Sequence, residues 1–355
     1  MENKIKKCID KLKELNCDGF VISNPTNITY LTNFREIEGY LLITRDGRLF
    51  CFTNFLYQEE AKKNKSWQVI SSSGIDIFEK LAKLAKSLGL KKVGFEAKHL
   101  TYLEYKEFKS NFDRVFIEFL KTIDFIETIR SIKSSKEISF IKDSINITEE
   151  AFEFILEIYR ENMTEMDLFI EVERFLKLKA NNIAFSPIVA NKDNSFYPHH
   201  IPNGNFLNKD FFLVDIGAKF NNYCADITRV FLRKKMSNFV KKIFDIVKKA
   251  QELSIKKIKE GVKIKEVDLA ARNYIQDKGF GKFFGHNLGH GLGLSVHELP
   301  SVGPTNEEIL KENMVITIEP AIYLNNRFGI RLEDVVLVKN KGAEILSRRK
   351  HIYFL

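Results

Sequence analysis

Two segments of this chain set carboxylates inside otherwise apolar strands, and few folds can absorb that. The first runs Phe211-Phe212-Leu213-Val214-Asp215-Ile216-Gly217. After Asn221-Asn222 it continues as Tyr223-Cys224-Ala225-Asp226-Ile227-Thr228-Arg229-Val230-Phe231. A two-residue hairpin loop at Asn221-Asn222 pairs Asp215 with Thr228 and leaves Asp226 two residues along on the same face. The two carboxylates are then diagonal neighbours, about 7–8 Å apart at the backbone. Buried like charges that close are costly unless a cation sits between them.

The arrangement recurs. Met314-Val315-Ile316-Thr317-Ile318-Glu319-Pro320 reads as a strand with a glutamate near its end, and Phe328 to Val338 as its partner, carrying Glu333. A strict two-residue loop at Asn325-Asn326 puts Glu319 and Glu333 on opposite faces. An odd-length loop centred on Asn326, or one β-bulge, puts them on the same face. One of these two is expected.

Between the hairpins lies the glycine-dense run Gly285-His286-Asn287-Leu288-Gly289-His290-Gly291-Leu292-Gly293, followed by Val296-His297-Glu298. His286 and His290 are spaced as in the HExxH zinc helix. Asn287 stands where that motif needs Glu, and the glycines disfavour a helix. The glycines fit no Walker A or Rossmann pattern either. They allow close backbone approach and aim His290 inward. Four carboxylates and one imidazole make a hard, oxygen-rich donor set suited to two divalent ions (Mn²⁺, Co²⁺, Fe²⁺ or Zn²⁺) rather than one structural zinc.

The rest of the sequence frames this centre. The 355 residues are 44% hydrophobic and 29% charged, an ordinary core-forming composition. The net charge of +9 comes from lysines spread along helical stretches among glutamates, which reads as solvated helix faces and not as a nucleic-acid footprint. No apolar run approaches the roughly 18–20 residues of a membrane span. The segment Met1–Leu15 reads as a short amphipathic helix with no secretory signal, which points to the cytoplasm. Cys8, Cys17, Cys51 and Cys224 form no CxxC pair and read as reduced thiols.

Along the chain, Phe20-Val21-Ile22 reads as a strand ending in a Ser23-Asn24-Pro25 turn, and residues 40–53 as a hairpin across Asp46-Gly47. Helices are expected over 75–88, 135–162, 164–180 (capped by Thr164 with Asp167), 236–260 and 265–278. The fold class is α/β (α+β) in two domains, 1–125 and 126–355.

The order Asp215 in VDIG, Asp226 in ADITR, His290 in GHGLG, Glu319 in ITIEP and Glu333 in RLED resembles the dinuclear metallopeptidases of the pita-bread fold. These include methionine aminopeptidase, aminopeptidase P, prolidase and the metal-free creatinase. The likeness covers nearly the whole chain, with a creatinase-like N-terminal domain ahead of a pita-bread catalytic domain.

The resemblance implies roles. Asp215 holds one ion, His290 and Glu319 the other, and Asp226 and Glu333 bridge. The ions, Mn²⁺ first among the candidates, activate a water against the peptide bond before proline. His297 contacts the substrate carbonyl, Glu319 shuttles the proton, and His199 orients the substrate near the leaving nitrogen. His286, Arg331 and Tyr323 line the pocket for the residue after the scissile bond. His200 carries no role.

The N-terminal domain sets the chain apart from methionine aminopeptidases, and the full ligand set from creatinase. An Xaa-Pro aminopeptidase acting on short peptides with proline second is therefore expected. The alternatives are an Xaa-Pro dipeptidase (prolidase) and a non-catalytic peptide-binding member. Ser301 stands where many prolidases carry Arg, and Ala321 where the family usually has Gly. The resemblance also implies a homodimer in which one subunit's N-terminal domain closes over the other's site.

Overall fold

The computed structural model describes residues 2–34, 38–72, 74, 76–207, 209–233, 235–348 and 350–355, with side chains from Lys4 onward. The chain forms two units, Met1–Arg130 and Ser131–Leu355.

The first unit alternates α1 (Glu2–Glu14), β1 (Gly19–Ile22), α2 (Pro25–Thr32), β2 (Gly39–Thr44), β3 (Leu49–Thr53), α3 (Phe55–Lys62) and β4 (Gln68–Ser71). It continues with α4 (Asp76–Ser87), β5 (Lys92–Glu96), α5 (Tyr102–Arg114), β6 (Glu118–Thr122) and α6 (Phe125–Arg130). The sheet order is β4-β3-β2-β1-β5-β6. Its core gathers Val21, Phe52, Leu81, Phe95, Phe108 and Phe119.

The Ser23-Asn24-Pro25 turn proves to be a helix start. Asn24 Oδ1 accepts from Thr26 N at 2.9 Å, and Pro25 takes the first helical position, where its missing N–H costs nothing. Met1 and Ile75, the first residues of two expected helices, lie outside the described residues.

The second unit opens with α7 (Ser135–Ile158) and α8 (Glu165–Ala180), each begun by a reciprocal capping box, Ser134 with Glu137 and Thr164 with Asp167. β7 (Ile188–Asn191), β8 (Phe211–Ile216), β9 (Lys219–Phe220), β10 (Tyr223–Cys224) and β11 (Ile227–Leu232) follow. Then come α9 (Asn238–Lys257), α10 (Ile264–Asp277), β12 (Gly289–Gly291), β13 (Glu298–Val302), β14 (Val315–Ile318) and β15 (Ala321–Leu324). β16 (Phe328–Arg331), β17 (Asp334–Lys339), β18 (Gly342–Ile345) and β19 (Ile352–Phe354) complete it.

Its larger sheets have orders β19-β11-β8-β7 and β13-β12-β14-β17-β18, with two-stranded ribbons β9-β10 and β15-β16. α9 is shorter than the 236–260 expected, because Ser237 caps it, and α10 has the length of the expected 265–278 but starts one residue earlier, after Lys263. Gly261 and Gly279, with φ of 83° and 86°, supply the left-handed conformation just past these helices. No helix among the described residues is long and apolar enough to cross a membrane.

The registers decide the site. β8 and β11 pair Asp215 with Thr228, and β9 and β10 continue that register to the Asn221-Asn222 loop. Both loop residues have positive φ (49° and 72°), as a type I′ turn requires. In the second hairpin β14 pairs Ile318 with Asp334, and β15 pairs Ala321 with Arg331 and Leu324 with Phe328. The loop is therefore three residues, 325–327, with Asn326 at φ 57°. The odd-length loop applies, without a bulge, and Glu319 stands opposite Glu333.

Each hairpin is interrupted near its acids, at 217–218 against 225–226 and at 319–320 against 332–333. Opposite Asp226 the backbones pass so closely that a Cβ on Gly217 would lie 1.9 Å from Ala225 O. Gly217→Ala should thus lower unfolding stability toward the upper end of about 1–3 kcal/mol. Gly285→Ala, where a Cβ meets nothing within 4 Å, should change it by less than about 0.5 kcal/mol. Urea melts of the two variants check the pair; equal losses contradict the close-approach account.

Candidate metal centre

The two hairpins and the β12 loop bring together the four acids and His290. Asp215, Asp226 and Glu333 form one group in which ligand atoms lie within 4.8 Å of one another; His290, Glu319 and Glu333 form a second, and Asp226, His290 and His297 a third. Asp215, Asp226 and Glu333 are buried. At about 4 Å, two carboxylates repel by about 4 kcal/mol at an effective dielectric of about 20.

The acids respond accordingly. Burial, then the charges of Glu333, Asp215 and Glu319, pushes Asp226 well above the ordinary carboxylate range. Burial, then Glu319 and Asp215, does the same to Glu333. Burial also raises Asp215, against the pull of Arg331. Burial works against ionising Glu319, yet the hydrogen bond and charge of His290 hold it below the usual range.

Several side chains hold the acids in place. Thr228, opposite Asp215, donates to Glu333 Oε2 at 2.8 Å and so ties the aspartate hairpin to the glutamate hairpin. Behind it Arg229, fully buried, bonds Glu333 O at 2.6 Å and Asp334 Oδ1 at 2.9 Å. On the second hairpin Ile316, Ile318, Val336 and Val338 join the core that includes α9 and α10 residues. Thr317 instead takes the His290 N–H at 3.1 Å and lies 3.4 Å from Glu319 Oε1. From α9, Gln251 Nε2 bonds Ile318 O and Leu332 O, the carbonyls just before each glutamate.

His290 Nε2 lies 3.3 Å from Glu319 Oε1 and 3.5 Å from Asp226 Oδ2. Its Nδ1 donates to Gly291 O at 3.1 Å, which leaves Nε2 as the nitrogen that would exchange its proton, shared with Glu319, for a metal ion. Glycines make the approach possible: a Cβ on Gly289 would lie 2.0 Å from Thr317 O, and on Gly291 2.1 Å from Leu299 O.

Around the acids, Arg331 donates to Asp215 Oδ2 at 2.5 Å, to Thr228 Oγ1 at 3.1 Å and to Tyr323 Oη at 2.8 Å. Tyr323 Oη in turn lies 3.3 Å from His286 Nε2. The three residues read as pocket-lining therefore form one chain that ends on Asp215. Arg272, paired with Asp268, donates to His286 O and fixes that loop on α10.

His297 is exposed and packs edge-on at 4.2 Å from the His290 ring. Covering of part of its ring, then His290, lowers its pKa, and His199 adds to the effect. His199 is exposed, on a loop braced beneath by Glu165. That buried carboxylate accepts from Asn191 N and Asn194 Nδ2 and meets His200 Nε2 at 2.7 Å. His200 thus anchors the loop that presents His199.

Sequence reasoning passed over Thr228, Thr317, Gln251, Glu165 and Asp268. Only Thr228 carried a signal, its place opposite Asp215; the others look like ordinary helix or strand polar residues.

One observation tests whether this donor set suits metal. Asp215 Oδ1 is buried with no hydrogen-bond partner, in a residue grouped with Asp226 and Glu333, and Glu333 is grouped in turn with Glu319 and His290. An orphaned buried carboxylate oxygen is costly. Oxygen-rich coordination of divalent cations removes that cost and the mutual repulsion, so the residues fit such ions.

Comparisons with known proteins agree with this geometry. The profile of Metallopeptidase family M24 matches residues 139–340, and that of the Creatinase/Prolidase N-terminal domain residues 4–132. The chain is 34% identical over 352 residues to an Xaa-Pro dipeptidase of Pyrococcus horikoshii, covering 98% of this chain and 97% of that protein. Its structure is similar to an Xaa-Pro dipeptidase from Bacillus anthracis (TM-score 0.93, 34% identity, 100% and 99% covered). It is also similar to an X-Pro aminopeptidase from Thermotoga maritima (TM-score 0.88, 33% identity, 98% and 100% covered). The acids on paired hairpins thus have a family: this chain belongs to the M24 metallopeptidases, with a creatinase-type N-terminal domain ahead of a pita-bread hydrolase domain.

Proposed function

We propose that the protein is an Xaa-Pro aminopeptidase that hydrolyses the bond before a proline at the second position of short peptides. The observation that carries this is the pair of overlapping donor groups, Asp215, Asp226 and Glu333 with the unpartnered Asp215 Oδ1, and His290, Glu319 and Glu333. Asp215 would hold one ion, His290 and Glu319 the second, with Asp226 and Glu333 shared. Two bound divalent ions, Mn²⁺ first among the candidates, supply a nucleophilic hydroxide at neutral pH and Lewis acidity toward the carbonyl.

The chain's own residues do the rest. His297, beside His290, donates to the carbonyl oxygen as negative charge develops there. Glu319, which lies beside His290, carries the proton to the departing imino nitrogen. His199 orients the substrate near that nitrogen. His286 and Tyr323 face the proline, and Arg331 holds Tyr323 and Asp215 in register.

Ser301 supports the aminopeptidase reading. Its hydroxyl accepts from Asn287 Nδ2 at 2.8 Å, so that point of β13 offers no cation to a dipeptide's carboxylate. The second reading, an Xaa-Pro dipeptidase, is favoured by the activities for which the B. anthracis and P. horikoshii relatives are named. Four buried free thiols suit a reducing cytoplasm. The family resemblance supports a homodimer.

Hydrolysis of Ala-Pro and Ala-Pro-Ala by protein reloaded with Mn²⁺ tests the proposal. Cleavage of the tripeptide at Ala-Pro is expected. Cleavage of the dipeptide alone makes the enzyme a prolidase, and cleavage of neither by folded, metal-loaded protein removes the Xaa-Pro assignment. Thr228→Val, which deletes the hydroxyl on Glu333 while keeping the shape, should weaken Mn²⁺ affinity about 10- to 100-fold. Calorimetric titration reads that change, and an unaltered affinity contradicts the tether.

A further inference from the structure

Lys133 is a buried lysine that the mechanism above does not use. Its side chain is 1% exposed and its Nζ lies 3.0 Å from Glu298 Oε1, whose side chain is 5% exposed. The backbone around it is fixed independently: Lys133 N donates to Asn313 O at 2.9 Å, and Ile132 bridges Met314. The ammonium therefore reaches Glu298 from a rigid mount on the start of β14.

Glu298 follows His297 directly. Its other oxygen, Oε2, accepts from Ser295 N at 3.4 Å, closing the turn that leads into His297. The turn is shaped around this carboxylate, since a Cβ on Gly293 would lie 2.0 Å from Glu298 Oε1. Cys224 N holds the other side of the turn by donating to Gly293 O at 2.7 Å. A well-packed apolar pair is often as stable as a buried ion pair, or more so. What this pair adds is direction: it fixes where the Glu298 carboxylate lies, and with it the backbone that aims the His297 ring at His290.

We propose that Lys133 is a positioning residue for the peptidase reaction, holding His297 in register through Glu298. The inference rests on the Xaa-Pro reading above for its kinetic consequence only. Lys133→Met should lower kcat on an Xaa-Pro substrate about 10- to 100-fold, with KM within about twofold. In a His297→Ala background the same change should cost less than about twofold more. Lys133→Arg, which keeps the charge, should recover most of the loss.

A second readout needs no turnover. In protein with isotope-labelled histidines, Lys133→Met should shift the His297 ring resonance, assigned through His297→Gln, and leave that of His351 in place. If Lys133→Met does not fold, the apolar pair Lys133→Met with Glu298→Leu replaces it, with the same two expectations. An equal loss of kcat in both backgrounds, or an unmoved His297 resonance, overturns the proposal. Wild-type protein inactive on every Xaa-Pro peptide overturns the assigned reaction instead, and the resonance still judges Lys133.

Discussion

Mutual repulsion among three buried carboxylates and a half-buried fourth is the constraint on which the rest of the catalytic unit depends. Asp215, Asp226, Glu319 and Glu333 converge against one permanent cation, Arg331, which bonds Asp215. Left alone, such a cluster would drive its strands apart or hold protons, and the raised pKa values of Asp226 and Glu333 show that tendency. Bound divalent ions turn the liability into a site. The fold must then keep the acids close before the ions arrive.

It does so by clamping two hairpins together at several levels. Thr228 reaches Glu333, and its neighbour Arg229 reaches the backbone of Glu333 and the side chain of Asp334. His351 and Ser347 complete the shell around Asp334. Gln251 spans the carbonyls that precede the two glutamates. Most of these clamps act on the backbone of an acid or on a residue adjacent to one, so the acids are positioned by their backbones and not only by one another. Interruptions of the strands at the acids complete the device, because regular pairing would align side chains on a flat face instead of turning them toward a common point.

Hairpin register is where the sequence was most readable. Alternation and the Asn221-Asn222 turn are local properties, so Asp215 opposite Thr228 follows from them directly. For Glu319 and Glu333 local chemistry left a loop of odd length or a bulge, and the three-residue loop around Asn326 decides between them. Asn24-Pro25 read as a turn because a cap and a first-turn proline use the same residues as a turn does. Gln251, Glu165 and Lys133 were opaque for a different reason. Each is an ordinary polar residue within a helix or connecting segment, and only tertiary contacts separate it from a solvated one. Composition was uninformative about all of them.

The central claim is that the five residues form one two-ion centre with Asp226 and Glu333 shared. Anomalous diffraction from crystals grown with Mn²⁺ tests it directly. The account predicts two anomalous peaks, one on the Asp215 side and one on the His290–Glu319 side, with Asp226 and Glu333 oxygens between them. A single peak, or peaks away from these residues at saturating Mn²⁺, would contradict it.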